Sequence, residues 1–136
     1  MRTFSFLLSN IQWIWFAIAV LVTFIAGAIW YSFLFPKTWM RVFKVEMPDE
    51  VTKLSMVRTM LLQLIVSILF GAIFFLLVQI SFFISVFVLV GFCAWQKGGL
   101  NFQFAKWKDY VLAACIQVGY TFVAGMIFII FGLISR

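Results

Sequence analysis

Between Met60 and Trp95 the chain runs for 36 residues without one charged side chain. As a single helix that stretch would measure ~54 Å, against a bilayer hydrocarbon core of ~30 Å. It suits two crossings joined by a tight turn, and its most polar point away from the ends is Gln79-Ile80-Ser81. No Gly, Pro or Asn marks that turn. A second charge-free run, from about Ile11 to Phe35, is long enough for one crossing, and a third follows Asp109.

Composition agrees with lipid as the solvent. Hydrophobic residues make up 66% of the 136 positions and charged residues 10%, with 19 Phe and 6 Trp. Soluble domains carry about 25% charged residues, and a water-soluble fold of this length has too little interior to hide so much apolar side chain. The fold class expected is all-α: a polytopic membrane protein with four transmembrane helices in a compact bundle, forming one domain. The spans fall at about 11–35, 59–79, 81–97 and 109–134. Arg2, the apolar run from Ile11 and Ala26-Gly27-Ala28 imitate a secretory signal, but the apolar run continues through Ile29 to Phe35. The segment therefore reads as a retained first span. Trp13 and Trp15 at one end, and Trp30 and Tyr31 at the other, fit two interfacial aromatic belts ~26 Å apart.

Pro36 and Pro48 bracket a segment, about 37–47, with two readings. On a helical wheel Trp39, Met40, Val42, Phe43 and Met47 share one side, while Lys37, Arg41 and Lys44 form a stripe at i, i+4 and i+7. That pattern predicts a short amphipathic surface helix whose cations meet anionic lipid headgroups. Pro36 suits its first turn. The alternative is an irregular loop whose charges only fix topology. Asp49 and Glu50 then suit the start of the next helix, at the positive end of its dipole.

The net charge of +6 is not a nucleic-acid signal. The ten cations are Arg2, Lys37, Arg41, Lys44, Lys53, Arg58, Lys97, Lys106, Lys108 and Arg136. All flank the apolar runs, and no groove-reading motif accompanies them. With four spans, the eight from Lys37 to Lys108 share one side. The excess of cations assigns that side to the cytoplasm and both termini to the outside. Three spans would divide the loops five against three and erase the asymmetry.

Helix seams in lipid are marked by small and weakly polar residues. Ala19, Thr23 and Gly27 recur at spacing four; Ser81 and Ser85 follow on the third span; Ala113, Gln117, Thr121 and Ala124 share a face of the fourth, with Gly119 and Tyr120 nearby. Gln63, Gln117, Tyr120 and Thr121 are the intramembrane polar candidates. They either bond neighbouring helices or line a cavity. The strings "GAIWY" (Gly27–Tyr31) and "GFCAW" (Gly91–Trp95) raise the further question of a duplicated two-helix hairpin.

The stretch "GAIWYSFLFPKTW", Gly27 to Trp39, resembles the family catalogued as domain of unknown function 1761, small bacterial and fungal membrane proteins. The matching positions are Gly27, Trp30, Tyr31, Phe35, Lys37 and Trp39. Where that family has a Gly before the Lys, this chain has Pro36, so the bend is made differently. The resemblance implies a four-helix membrane protein and no known activity. With the charge asymmetry it places the chain in the bacterial cytoplasmic membrane.

Catalytic chemistry is poorly served. There is no His, the commonest general base, and Glu46, Asp49, Glu50 and Asp109 all lie outside the apolar runs. A proton-coupled transporter keeps an ionisable group inside the membrane, and these spans have none. Cys93 and Cys115 read as apolar filler rather than a redox pair. No catalytic residue, metal site or cofactor is expected. The leading reading is a non-catalytic membrane component that binds a protein partner or lipid. The alternative is a small dimeric carrier or pore, not proton-coupled, along Gln63, Gln117, Tyr120 and Thr121. The partners expected are membrane lipids and either a second copy or another protein, not nucleic acid.

Overall fold

Local sequence decides where each helix stops. In a computed structural model, which describes residues 12–44, 53–100 and 106–135, every regular element among the described residues is helical. Helix α1 is Trp13–Ile29. It widens into a π-helical turn over Trp30–Leu34, closed by the Phe35 N–H donating to Trp30 O at 3.1 Å. Pro36 explains the widening. It cannot donate to the helix ladder, its ring crowds the carbonyl four residues back, and it drives the preceding residue out of the α region. Phe35 has left that region, at φ −132° and ψ 28°. The first span is thus not one α-helix to Phe35, as its uninterrupted hydrophobicity suggested.

Pro36 opens α2, Pro36–Val42. This helix is shorter than the expected 37–47. Phe43 and Lys44 form a turn, and Lys44 has φ 51°, so Lys44 leaves the stripe that Lys37 and Arg41 share. Residues 45–50, with Glu46, Asp49 and Glu50, lie outside the described residues. Nor does α2 rest on the bilayer alone, because buried Val42 packs with Tyr110 and Ala113.

Helix α3 (Lys53–Ile80) and helix α4 (Phe82–Leu100) meet at Ser81. Ser81 serves both. Its N–H donates to Leu77 O at 3.0 Å, and its Oγ accepts from the Ile84 N–H at 3.5 Å, an N-cap at the long end of hydrogen-bond range. The chain folds back there, since the Phe70 and Phe92 rings, each eleven residues from Ser81, lie 5.7 Å apart.

Helix α5, Trp107–Ile134, packs against α1, α2, α3 and α4. The half of the bundle near its C-terminus is dry. Phe16 lies 5.2 Å from Phe75 and 6.0 Å from Phe128, and Ala19, Phe74, Val78, Leu89, Phe128 and Ile129 form its buried core. Glycines admit these side chains: a Cβ at Gly71 would strike Phe128, one at Gly125 Leu89, and one at Gly132 Val78. Gln79 closes this end, its Nε2 donating to Gly132 O at 2.8 Å and Ser135 Oγ at 3.2 Å.

At the opposite end lie the close of α1, α2, the start of α3, the end of α4 and the start of α5. Lys37, Arg41, Lys44, Arg58, Lys97, Lys106 and Lys108 are all exposed there. Three helical segments, Trp13–Leu34, Val57–Ile80 and Trp107–Ile134, are long and apolar enough to cross a membrane, and Phe82–Gly98 is a shorter apolar helix. The outer surface is correspondingly apolar, with Phe33, Phe83 and Phe87 each more than 80% exposed. A chain with this surface is embedded in a membrane.

Candidate functional site

The "GAIWY" string builds the inner wall of the basic half. Gly27 has no side chain, so the Tyr120 phenol lies against the α1 backbone and donates to Thr23 O at 3.1 Å. One turn on, Trp30 Nε1 donates to Ile116 O of α5 at 2.9 Å. The Tyr31 ring meets Tyr120 edge-on at 5.4 Å, and Phe35 sits 5.2 Å from Trp30. Trp30 and Tyr31, half-buried at the end of the first span, therefore hold it to α5. Trp95 and Trp107, 73% and 74% exposed at the basic end, are placed to meet the bilayer.

Below this clamp is a partly open chamber of about 300 Å³ between the helices. Its walls come from all four long helices: Thr23 and Tyr31 from the first, Gln63 and Ser67 from α3, Phe92 and Gln96 from α4, and Gln117, Tyr120 and Thr121 from α5. The four polar residues singled out by sequence, Gln63, Gln117, Tyr120 and Thr121, are thus brought together in one wall. Thr121 Oγ1 bonds its own helix at Gln117 O, 3.0 Å away. Ser67 and Gln96 were not anticipated, although Gln96 lies at i+33 from Gln63 in a run with few other polar groups. Thr23 was anticipated only as a small seam residue. Among the described residues the chamber wall carries amides and hydroxyls but no carboxylate, ammonium or guanidinium.

Two of the residues that border it carry a buried polar atom with no hydrogen-bond partner among the described residues, Thr23 Oγ1 and Gln96 Oε1. A buried polar atom left unpaired costs about 1–3 kcal/mol, and neither atom presents accessible surface to the cavity.

A second cavity, about 570 Å³, opens sideways between α1 and α3 beneath α2. Tyr31, Gln63 and Tyr120 line both it and the chamber, so the two adjoin. Its remaining walls are mainly apolar, including Phe24, Ala28, Pro36, Met40 and Met60. Phe24 and Met60 also border an apolar groove of about 390 Å³ that continues along the same seam past Val20, Leu21 and Leu64. Together they make an apolar channel along the lipid-facing side of α1 and α3 that adjoins the chamber, whose wall also includes Val66, Phe70 and Ala124.

Lys37 and Arg41 are exposed on α2, whose Met40 borders the opening, and Lys44 is exposed just beyond. Trp39 is on the same helix. The cysteines stand apart in role: Cys93 is buried in the core and Cys115 is exposed. The likeness of "GAIWY" to "GFCAW" does not extend to packing. Gly27 lies under Tyr120, whereas nothing comes within 4 Å of a Cβ at Gly91. No family model, no curated protein and no solved structure matches the chain, so its function is to be sought in this chamber and the channel that reaches it.

Proposed function

We propose that this is a four-span protein of the bacterial cytoplasmic membrane, with the basic end inside, that acts as a non-catalytic component binding a membrane lipid. The observation that carries the reading is the apolar channel between α1 and α3, which adjoins the chamber at Tyr31, Gln63 and Tyr120. A lipid tail would lie along apolar helix surface and gain from van der Waals packing, since it is already in hydrocarbon and no water is released. Lys37, Arg41 and Lys44 would hold the basic end among anionic headgroups, each worth about 1 kcal/mol near such a surface. The resemblance of Gly27–Trp39 to the domain of unknown function 1761 family supports the four-span reading. So does the antiparallel pairing of α4 with α3. The apolar length of α4, Phe82–Gly98, measures ~26 Å, and modest local thinning of the bilayer accommodates that.

Purified protein delipidated in detergent and then offered a total lipid extract tests the binding. The expected result is one tightly held lipid per chain by native mass spectrometry. Retention of lipids only in their bulk proportions would overturn it.

The chamber itself favours a second reading, a carrier for a small uncharged solute. Its obstacle is the dry half, where Phe16, Phe75, Val78 and Phe128 would have to part. Uptake by proteoliposomes tests this: no flux of any polar solute would exclude the carrier.

A further inference from the structure

We infer that the lipid held at this site is an anionic phospholipid, its phosphate seated on Lys37 and Arg41 of α2 and a tail lying in the channel between α1 and α3. The inference rests on the lipid-binding reading above and names the class of lipid. It goes beyond the diffuse attraction of a basic surface, because it places one headgroup at one edge of the channel.

The register of α2 sets that place. Pro36 and Met40, one turn apart, line the cavity between α1 and α3. Lys37 and Arg41 each follow one of them, about 100° further round the helix, and both are exposed. Val42, on the side turned away from the channel, is buried with Tyr110 and Ala113. One face of α2 is thus fixed to α5, a second borders the channel, and the face between them carries the two cations. Side chains one turn apart on a helix leave Cβ atoms ~5–6 Å from each other, so one phosphate can bridge both cations. The planar fork of an Arg matches phosphate oxygens, and a Lys adds a point charge. Ser32, exposed and one turn before Pro36, adds a hydroxyl to that part of the wall.

Charge then selects among phospholipids. Lys44 and Arg58 are also exposed at this end, and Asp109 is the only carboxylate among the described residues. A zwitterionic head would bring a cation of its own into this positive field, and an anionic head does not. The tail fits by length. The channel follows α1 from Ala28 to Ala17, a rise of ~16 Å, against ~15 Å for half of the hydrocarbon core. A phospholipid of the leaflet at the basic end, in its ordinary orientation, puts its phosphate beside α2 and its tail along α1.

The test uses the full chain in a neutral detergent, with dioleoylphosphatidylglycerol and dioleoylphosphatidylcholine as probes that share their tails. Native mass spectrometry titrations should show one tightly held phosphatidylglycerol per chain, bound about tenfold more tightly than phosphatidylcholine. Lys37→Ala with Arg41→Ala should remove that preference and leave phosphatidylcholine binding unchanged. Lys97→Ala with Lys108→Ala removes the same charge from exposed positions of α4 and α5 at the same end, and should leave the preference intact. Ala28→Phe adds bulk to the cavity wall and should weaken both lipids about fivefold. Equal affinity for the two lipids, or equal losses from the two pairs of cation substitutions, would overturn the inference; the lipid-binding reading stands in either case if Ala28→Phe weakens both lipids. Failure of both lipids to bind, or indifference of both to Ala28→Phe, would overturn the inference and the reading together.

Discussion

At Gly27 one absent methyl group decides how closely α1 and α5 approach. A Cβ there would stand 2.6 Å from the Tyr120 hydroxyl oxygen. Gly27→Ala should therefore displace the phenol and break its bond to Thr23 O, lowering stability by about 1–2 kcal/mol. Gly91→Ala, with open space around it, should be neutral or stabilising by up to about 1 kcal/mol from helix propensity alone. Tyr120→Phe removes the clashing oxygen, so Gly27→Ala should cost much less in that background. Thermal unfolding of the four proteins in detergent gives the comparison, and strict additivity would contradict the contact. Thr23→Val should leave stability of the lipid-free protein unchanged or higher, since it removes a buried hydroxyl with no partner. A marked loss on the same melting curve would mean the hydroxyl serves the fold. The residue-level signal was partly legible. Gly27, Trp30 and Tyr31 stand out in the sequence, but aromatic residues near a span's end suggest lipid interface by default. The partner of Trp30 is a carbonyl 86 positions away, which no local pattern announces.

Among the elements, the α3–α4 hairpin shows how a turn forms without turn residues. Ser81 ends one helix and caps the next, and Ser85 Oγ reaches back to Ser81 O at 2.8 Å. Ser81→Ala should lower stability by about 0.5–2 kcal/mol, the usual penalty for a lost N-cap. Gln79→Leu should match or exceed that loss, because it strips a donor from Gly132 O and Ser135 Oγ. Denaturant titration of each variant checks both; no change in either would contradict the capping role. Polarity alone located this turn in the sequence. The Ser cap was not read there, although Ser is a favoured N-cap residue. The π-helical turn was not legible, because Pro36 looked like the start of α2, and its effect on the preceding helix depends on how α1 continues into it. Likewise, the stripe of Lys37, Arg41 and Lys44 looked helical throughout, while Lys44 leaves it through a positive φ, a backbone conformation that side-chain periodicity does not encode.

The whole molecule is divided into a dry half, closed by Phe128, Leu89 and Val78 seated over glycines, and a basic half that holds the cavities. The hydropathy pattern made the membrane environment and the helical class legible. It could not reveal this division, which arises from which faces of four helices meet. Three glutamines and a threonine on separate helices reach one chamber only after packing. The gathering of cations at one end has its own consequence for topology. Changing Lys37, Arg41 and Lys44 together to Glu should invert or mix the orientation of the chain. Reporter fusions at the C-terminus would register the change, and an unaltered orientation would contradict a topological role for α2. The most direct test of lipid binding is polymer extraction of the protein from its native membrane, with mass spectrometry of everything that travels with it. A single lipid species in one-to-one proportion is the expected companion. A chain that emerges with only a sample of the bulk bilayer, or with nothing but a second copy of itself, would contradict the binding site between α1 and α3.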